Sequence, residues 1–271
     1  MTEKAGNRRR LLIAAAIELA SLLAAAAVFG LRHKERMAQL ESMSFRDMLR
    51  YTAEGRDDIR ITVGTIRDGK AEYTVYGRAG EVLPDTVYEY EIGSLTKTVT
   101  GALICRAVSE GRMELDAPVS RYIPLPEGTR DPTIVQLVTH TSGYPEYYFE
   151  WEMAGNFLSG RNAFCSIVED MLQWASLQME EDPEYLALGH QPLRELHITQ
   201  NGVRMDAVGV NWIYDGALGI WWHNGGTGDY NSYLCFDPEE GTAVVILSNT
   251  APGYRIPATM MGIRLYQEGA E

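Results

Sequence analysis

The chain is poor in the features that bind nucleic acid, metal or nucleotide. It has 24 lysines and arginines against 37 aspartates and glutamates, giving a net charge of −13 and a pI near 4.9. Nucleic-acid surfaces need a basic patch, so that class of partner is argued against. Cysteine is scarce: Cys105, Cys165 and Cys235 show no C-x-x-C spacing, so neither a redox motif nor a thiolate metal site is read. Cys105 and Cys235 fall in apolar helix and strand contexts and are expected as buried thiols, while a disulfide through Cys165 stays open. The five histidines are scattered, with none in H-E-x-x-H, which speaks against zinc hydrolase chemistry. Gly225-Gly226-Thr227-Gly228 lacks both G-x-G-x-x-G and a following Lys-Ser/Thr, so no nucleotide, cofactor or metal is assigned.

Long apolar runs are also lacking, with one exception. Leu11 to Leu31 is apolar apart from Glu18 and Ser21, follows Arg8-Arg9-Arg10, and is about the length of a bilayer core. Glu18 near the centre costs about 2–3 kcal/mol, and ten Leu, Ile, Val and Phe residues offset it at about 0.3–0.6 kcal/mol each. Insertion wins narrowly. The expected organisation is a cytoplasmic N-terminus at 1–10, a transmembrane anchor at 11–31, a juxtamembrane helix and linker at 32–57, and one domain at 58–271. A cleaved signal peptide ending near Ala24-Ala25-Ala26 is the competing reading; either one exports the domain.

Within the domain, Ile59, Ile61, Val63 and Thr65 alternate with other residues, and Asp68-Gly69 marks a hairpin turn. Ser44 is expected to cap a helix that Gly55 stops. A helix is predicted over Ser94–Glu110, stopped by Gly111, and Asp116 is expected to cap a short helix through Tyr122. Thr133 and Gln136 have capping-box spacing, as do Ser166 and Glu169 ahead of an apolar helical pattern. Strands are expected from Val203 onward, with Val208–Ile213 as one of them, and a helix near Pro257–Gln267 closes the chain. Strands at both chain ends with helices between them predict an α+β fold, an antiparallel sheet completed by both termini and covered by helices.

The chemistry centres on Ser94-Leu95-Thr96-Lys97. A serine hydroxyl needs a neighbouring base to become a nucleophile. Three residues is just under one helical turn, so Lys97 can reach Ser94 Oγ, and a lysine partly withdrawn from water becomes a usable base. The Ser94 N–H at a helix start is also an oxyanion donor. Later come His140-Thr141-Ser142-Gly143 and His223-Asn224-Gly225-Gly226.

In this order the three segments resemble the serine β-lactamase and penicillin-binding-protein superfamily, in its class C-like branch of β-lactamase-related serine hydrolases. The resemblance spans about 59–143 and 166–266. It implies a β-lactamase/transpeptidase-like fold and an acyl-enzyme reaction on a cell-wall peptide, β-lactam or small ester. Ser94 would be nucleophile, Lys97 base, and the Gly226 N–H the second oxyanion donor. His223, Asn224 and Gly225 would border the substrate, with His140 and Ser142 buttressing the site. His223 could bind a carboxylate or tune the lysine, or simply bond to backbone at a strand end. Trp221 and Trp222 are expected to alternate between core and surface.

One part of the pattern is missing. No Tyr in the chain has Asn two places on, and only 22 residues separate Gly143 from Ser166. The helical lobe that carries Y-x-N in this superfamily is expected to be truncated, with turnover impaired. Tyr144, Tyr147 or Tyr148 could stand in for the lost tyrosine. The segment near 144–165 is then expected either to bury its face in a dimer or to be marginally stable, since a lost lobe uncovers apolar surface. Two alternatives remain: a non-catalytic binding or regulatory module, and a defective product with a poorly packed gap.

The topology is testable. Protease added to intact cells is expected to digest the domain beyond residue 38; protection until the membrane is opened would contradict an extracytoplasmic location.

Overall fold

A computed structural model describes residues 38–40, 42–84, 86–144 and 164–269. The expected anchor at 11–31, its flank at 1–10, Tyr147, Tyr148 and most of the expected association face lie outside the described residues. Among the described residues no helix is long and apolar enough to cross a membrane. The chain divides into two units, Met1–Met43 and Ser44–Glu271, and the elements below belong to the second.

Eight strands form one antiparallel sheet in the order β2-β1-β10-β9-β8-β7-β6-β5. These are β1 (Ile61–Arg67), β2 (Lys70–Tyr76), β5 (Arg194–Gln200), β6 (Val203–Val208), β7 (Ile213–Asp215), β8 (Ile220–Gly226), β9 (Asn231–Asp237) and β10 (Thr242–Ser248). A two-stranded pair, β3 (Tyr90–Glu91) and β4 (Cys165–Ser166), stands apart from it. Chain-terminal strands thus meet at the β1–β10 pair, where Ile61 faces Ser248. The Asp68-Gly69 turn closes the first hairpin with both residues at positive φ (51° and 71°), the twist that matches right-handed strands.

The middle of the sheet is apolar on both faces because helices cover both. On one face Ala243, Val245 and Leu247 of β10 and Leu234 and Phe236 of β9 meet Val168, Met171, Leu172 and Ala175 of α4 (Val168–Glu180). On the other lies α5 (Ala258–Gly269), against which α1 (Phe45–Ala53) packs. This is why β9 and β10 read as continuous hydrophobic runs. The α1 helix has Ser44 as its N-cap, accepting from Asp47 N–H, and buries Met48, Leu49 and Ala53. The compact unit therefore begins at Ser44, and part of the expected linker belongs to it.

Helix α2 (Thr96–Ser109) continues a 3₁₀ turn over Gly93–Leu95, and Gly111 follows with φ 68°. Helix α3 (Ile134–Val138) starts with the expected box: Gln136 N–H donates to Thr133 Oγ1, and Thr133 N–H to Gln136 Oε1.

Other expectations need correction. Ser166 does not cap α4: its backbone is held extended in the pair with Tyr90, and Ile167 takes the cap position without a side-chain bond. Asp116 caps nothing; a 3₁₀ turn over Val119–Arg121 follows Pro118, and Asp131 accepts from the Ser120 N–H and hydroxyl. Val208–Ile213 is not one strand. Asn211 sits at φ 61°, and Gly209 N–H bonds Trp212 O at 2.8 Å, turning the chain between β6 and β7. Trp221 and Trp222 are both buried, at 6% and 3% exposure, because β8 lies inside the sheet.

Gly262 shows how tightly α5 seats. A Cβ there would lie 2.1 Å from Tyr233 Cδ1, on a ring with no exposure. Alanine would gain about 1 kcal/mol of helix propensity, but overpacking costs about 1–3 kcal/mol. Gly262→Ala is therefore expected to lower the urea midpoint of unfolding; an unchanged or raised midpoint would show that α5 can shift freely.

Candidate active site

The site forms where the chain leaves β3 and crosses the end of the β8–β9 pair. The carbonyl of Ile92 accepts from Ser232 Oγ at 2.7 Å. It also presses against Gly225, where a Cβ would lie 1.9 Å from Ile92 O. Only glycine fits at 225. Gly93 follows at φ 53°, and a Cβ there would come within 2.5 Å of the Gly226 nitrogen. A side chain at 93 would meet both strain and backbone. Two glycines on two elements thus let the serine segment touch the strand end.

Ser94 then opens the helical run. Leu95 N–H is already bonded to Ile92 O, whereas the N–H of Ser94 precedes the first bonded position and is an orphan donor of the helix start. Lys97 Nζ donates to Ser94 Oγ at 2.6 Å. Burial pushes the lysine pKa below its ordinary value, although part of the side chain stays in solvent. The start of α2 is held from three sides. Trp174 of α4 donates to Thr98 Oγ1 at 3.1 Å, Thr98 donates to Leu95 O at 2.7 Å, and Asn211 Nδ2 donates to Lys97 O at 2.8 Å.

The Gly226 amide faces the same place. Thr227 N–H bonds Tyr230 O across the β8–β9 turn, so Gly226 and Asn231 occupy the next, non-hydrogen-bonded pair. In that position the N–H points away from β9. Together with the proximity of Gly93, this leaves the Gly226 N–H near Ser94, on the wall of one cleft.

His223 is 7% exposed, with Nδ1 2.6 Å from the Asn224 carbonyl. Burial, helped by the Lys97 charge, pushes its pKa down to about 4, so at neutral pH it carries no charge. The Asn224 amide donates to Thr259 Oγ1 of α5 at 2.9 Å. His140, at φ 56° just past α3, has its pKa lowered by burial and by Lys97. Ser142 holds the turn: its carbonyl accepts from Arg130 and its hydroxyl from Tyr144 N–H. Tyr144 donates its own hydroxyl proton to Arg130 O at 2.5 Å.

The sequence did not announce Asn211, Ser232 or Thr98 as parts of this site. The one local signal was Asn211 itself, a residue suited to positive φ inside an apolar stretch. A cleft of about 460 Å³ opens beside Ser94, bordered by Asn224, Gly225 and Gly226. All three cysteines are free; burial pushes Cys105 up to about 11 and Cys235 up to about 12, while Cys165 is exposed. Among the described residues no three His, Cys, Asp or Glu side chains gather as metal ligands.

The beta-lactamase family model matches residues 50–160 and 151–260. A beta-lactamase of Pseudomonas fluorescens is 31% identical over 119 residues, covering 36% of this chain and 33% of that protein. One of Yersinia enterocolitica is 33% identical over 89 residues, covering 31% of this chain and 23% of that protein. The chain thus matches a third or less of the length of these curated relatives. In fold it is similar to a beta-lactamase from Sulfitobacter sp. EE-36, with TM-score 0.62 at 16% identity, covering 83% of this chain and 97% of that one. It is likewise similar to an octameric penicillin-binding protein homologue from Pyrococcus abyssi, with TM-score 0.59 at 18% identity, covering 78% and 73%.

The buried histidines give a pH signature. His223 and His190 both titrate near 4 in the fold, against 6.5 for a free side chain. Between those values the unfolded chain takes up protons that the fold refuses, so stability falls as pH drops from about 6.5 to 4. The loss is at most about 3 kcal/mol per histidine. His223→Gln is expected to shrink the drop in urea midpoint across that window; an unchanged drop would mean that His223 is already protonated in the fold.

Proposed function

We propose, because the chain belongs to the beta-lactamase family, that it is a serine hydrolase acting through an acyl-enzyme on an amide or ester. The observation that carries this reading is the 2.6 Å contact of Lys97 Nζ with Ser94 Oγ, on a lysine whose proton affinity burial has lowered. Neutral Lys97 accepts the hydroxyl proton as Ser94 Oγ bonds to the substrate carbonyl carbon. The oxygen that gains charge faces the N–H groups of Ser94 and Gly226, and each such donor is worth about 3–4 kcal/mol to the transition state. When the bond to the leaving group breaks, Lys97 returns the proton to the departing amine or alkoxide. Water then hydrolyses the Ser94 ester.

The second step is the weak one. The sequence lacks Y-x-N, and the Tyr144 hydroxyl is committed to Arg130 O. General acid–base help of that kind is worth about 10²–10⁴ in rate. The proposal is therefore of acylation with slow turnover, in a domain whose helical lobe is truncated. The lost tyrosine also favours a second reading, a β-lactamase-like binding or regulatory module that does no chemistry. We further propose an extracytoplasmic domain behind a single N-terminal span at 11–31, supported by the apolar run and its upstream arginines, and self-association through the face near 144–165.

Intact-mass measurement after exposure to a fluorophosphonate or an activated ester tests the chemistry. The wild type is expected to gain one adduct slowly, Ser94→Ala none, and Lys97→Ala at a rate lower by about 10²–10⁴. Equal labelling of all three, or none of the wild type at high probe concentration, would leave the binding module as the better reading.

A further inference from the structure

The cleft beside Ser94 has a composition that the proposed chemistry does not require. Its apolar walls are Val203, Met205, Ile213, Trp222, Pro257 and Met260. Its polar side chains are neutral, and the two nearest α5, Asn224 and Thr259, bond to each other. Among the described residues that line it there is no lysine, arginine, aspartate or glutamate. His223, one residue from Asn224 on β8, is buried and bonded to backbone, so it offers no cation either. Exposed Arg194 lies in an adjoining hollow, with His140, Thr141 and Leu196, on the other side of the shared Ile213 wall.

Lys97, bonded to Ser94 Oγ, is the neutral base in the acyl-enzyme reading, so a carboxylate placed among these walls would lose water and gain no opposite charge. The field of the whole chain points the same way, since a net charge of −13 repels anions on approach. We propose that the acyl donor for Ser94 is an uncharged, largely apolar ester or amide with no carboxylate next to the scissile bond. This rests on the acyl-enzyme reading and narrows it to a substrate class. Apolar walls stabilise a hydrocarbon acyl chain by area, and the neutral amide and hydroxyl groups leave the carbonyl free to reach the Ser94 and Gly226 N–H groups.

Matched pairs that differ only in charge test it: 4-nitrophenyl hexanoate against the 4-nitrophenyl monoester of adipic acid, and benzylpenicillin methyl ester against benzylpenicillin. Ser94-dependent acylation is followed by intact mass. The neutral member of each pair is expected to react about 10–100-fold faster, the order of an unpaired charged group in a binding site. Met260→Arg, which adds a cation to the α5 side of the cleft, is expected to narrow the gap. Equal or faster acylation by the free acids would overturn the inference, most directly if Arg194→Ala abolished it. Labelling of Ser94 by fluorophosphonate with no acylation by either neutral member would also overturn it, while leaving the nucleophile in place. Failure of the fluorophosphonate itself would remove the acyl-enzyme reading and this inference with it.

Discussion

The carbonyl oxygen of Ile92 lies against β8 at a distance that tolerates no side chain at Gly225, and a buried serine hydroxyl from β9 holds it there. Most of the site depends on that contact. It fixes how far the chain leaving β3 sits above the sheet, and so where Gly93 turns and where Ser94 begins the helix. It also sets the height of the Gly226 amide relative to the serine, because Gly225 and Gly226 are consecutive on one strand. The Ser94 hydroxyl and two backbone N–H groups, from elements more than a hundred residues apart, are aligned by one close backbone approach. Electrostatic stabilisation of a reacting carbonyl needs donors held in place beforehand, and a contact this tight supplies that rigidity without extra side chains.

Charge in the site is arranged by exclusion. Lys97, His140 and His223 are all basic, and each has its proton affinity lowered by burial. Lys97 lowers the pKa of both histidines further, and by reciprocity a proton on either would oppose one on Lys97. Charge is thereby kept low around the Lys97–Ser94 contact, and His223 serves there as a neutral hydrogen-bonding body. His223 does this through the Asn224 carbonyl, which ties the ring to its own strand.

Local periodicity made part of this legible in the sequence. Ser94 and Lys97 stand one turn apart, so their meeting follows from helix geometry alone. The Asp68-Gly69 turn and the Thr133–Gln136 box were readable for the same reason, since each closes over four residues or fewer. What failed was decided by distant partners. Ser166 looks like a cap until Tyr90 claims its backbone, and Val208–Ile213 looks like a strand until Asn211 turns the chain to reach Lys97 O. Strand β5 gave no signal, because almost all of its residues are exposed and an edge strand without a buried face has no alternation to read. The roles of Ser232 and Gly225 were hidden for a related reason: a close approach between segments leaves no mark on either segment alone.

The same edge position gives the cleft two unlike walls. Trp222, Asn224 and Gly225 belong to a strand paired inside the sheet, whereas Gln200, Asn201 and Val203 come from the turn of the outermost hairpin, β5–β6. Opening a sheet from its border disturbs few buried contacts, and opening it from the middle disturbs most of them. Residues 200–203 can therefore fluctuate, lengthen or change identity without moving the serine, the lysine or the Gly226 amide. Variation in the shape of the cleft has somewhere to accumulate in such a molecule, at the hem of the sheet, while Ser94, Lys97 and Gly226 stay stitched to its centre.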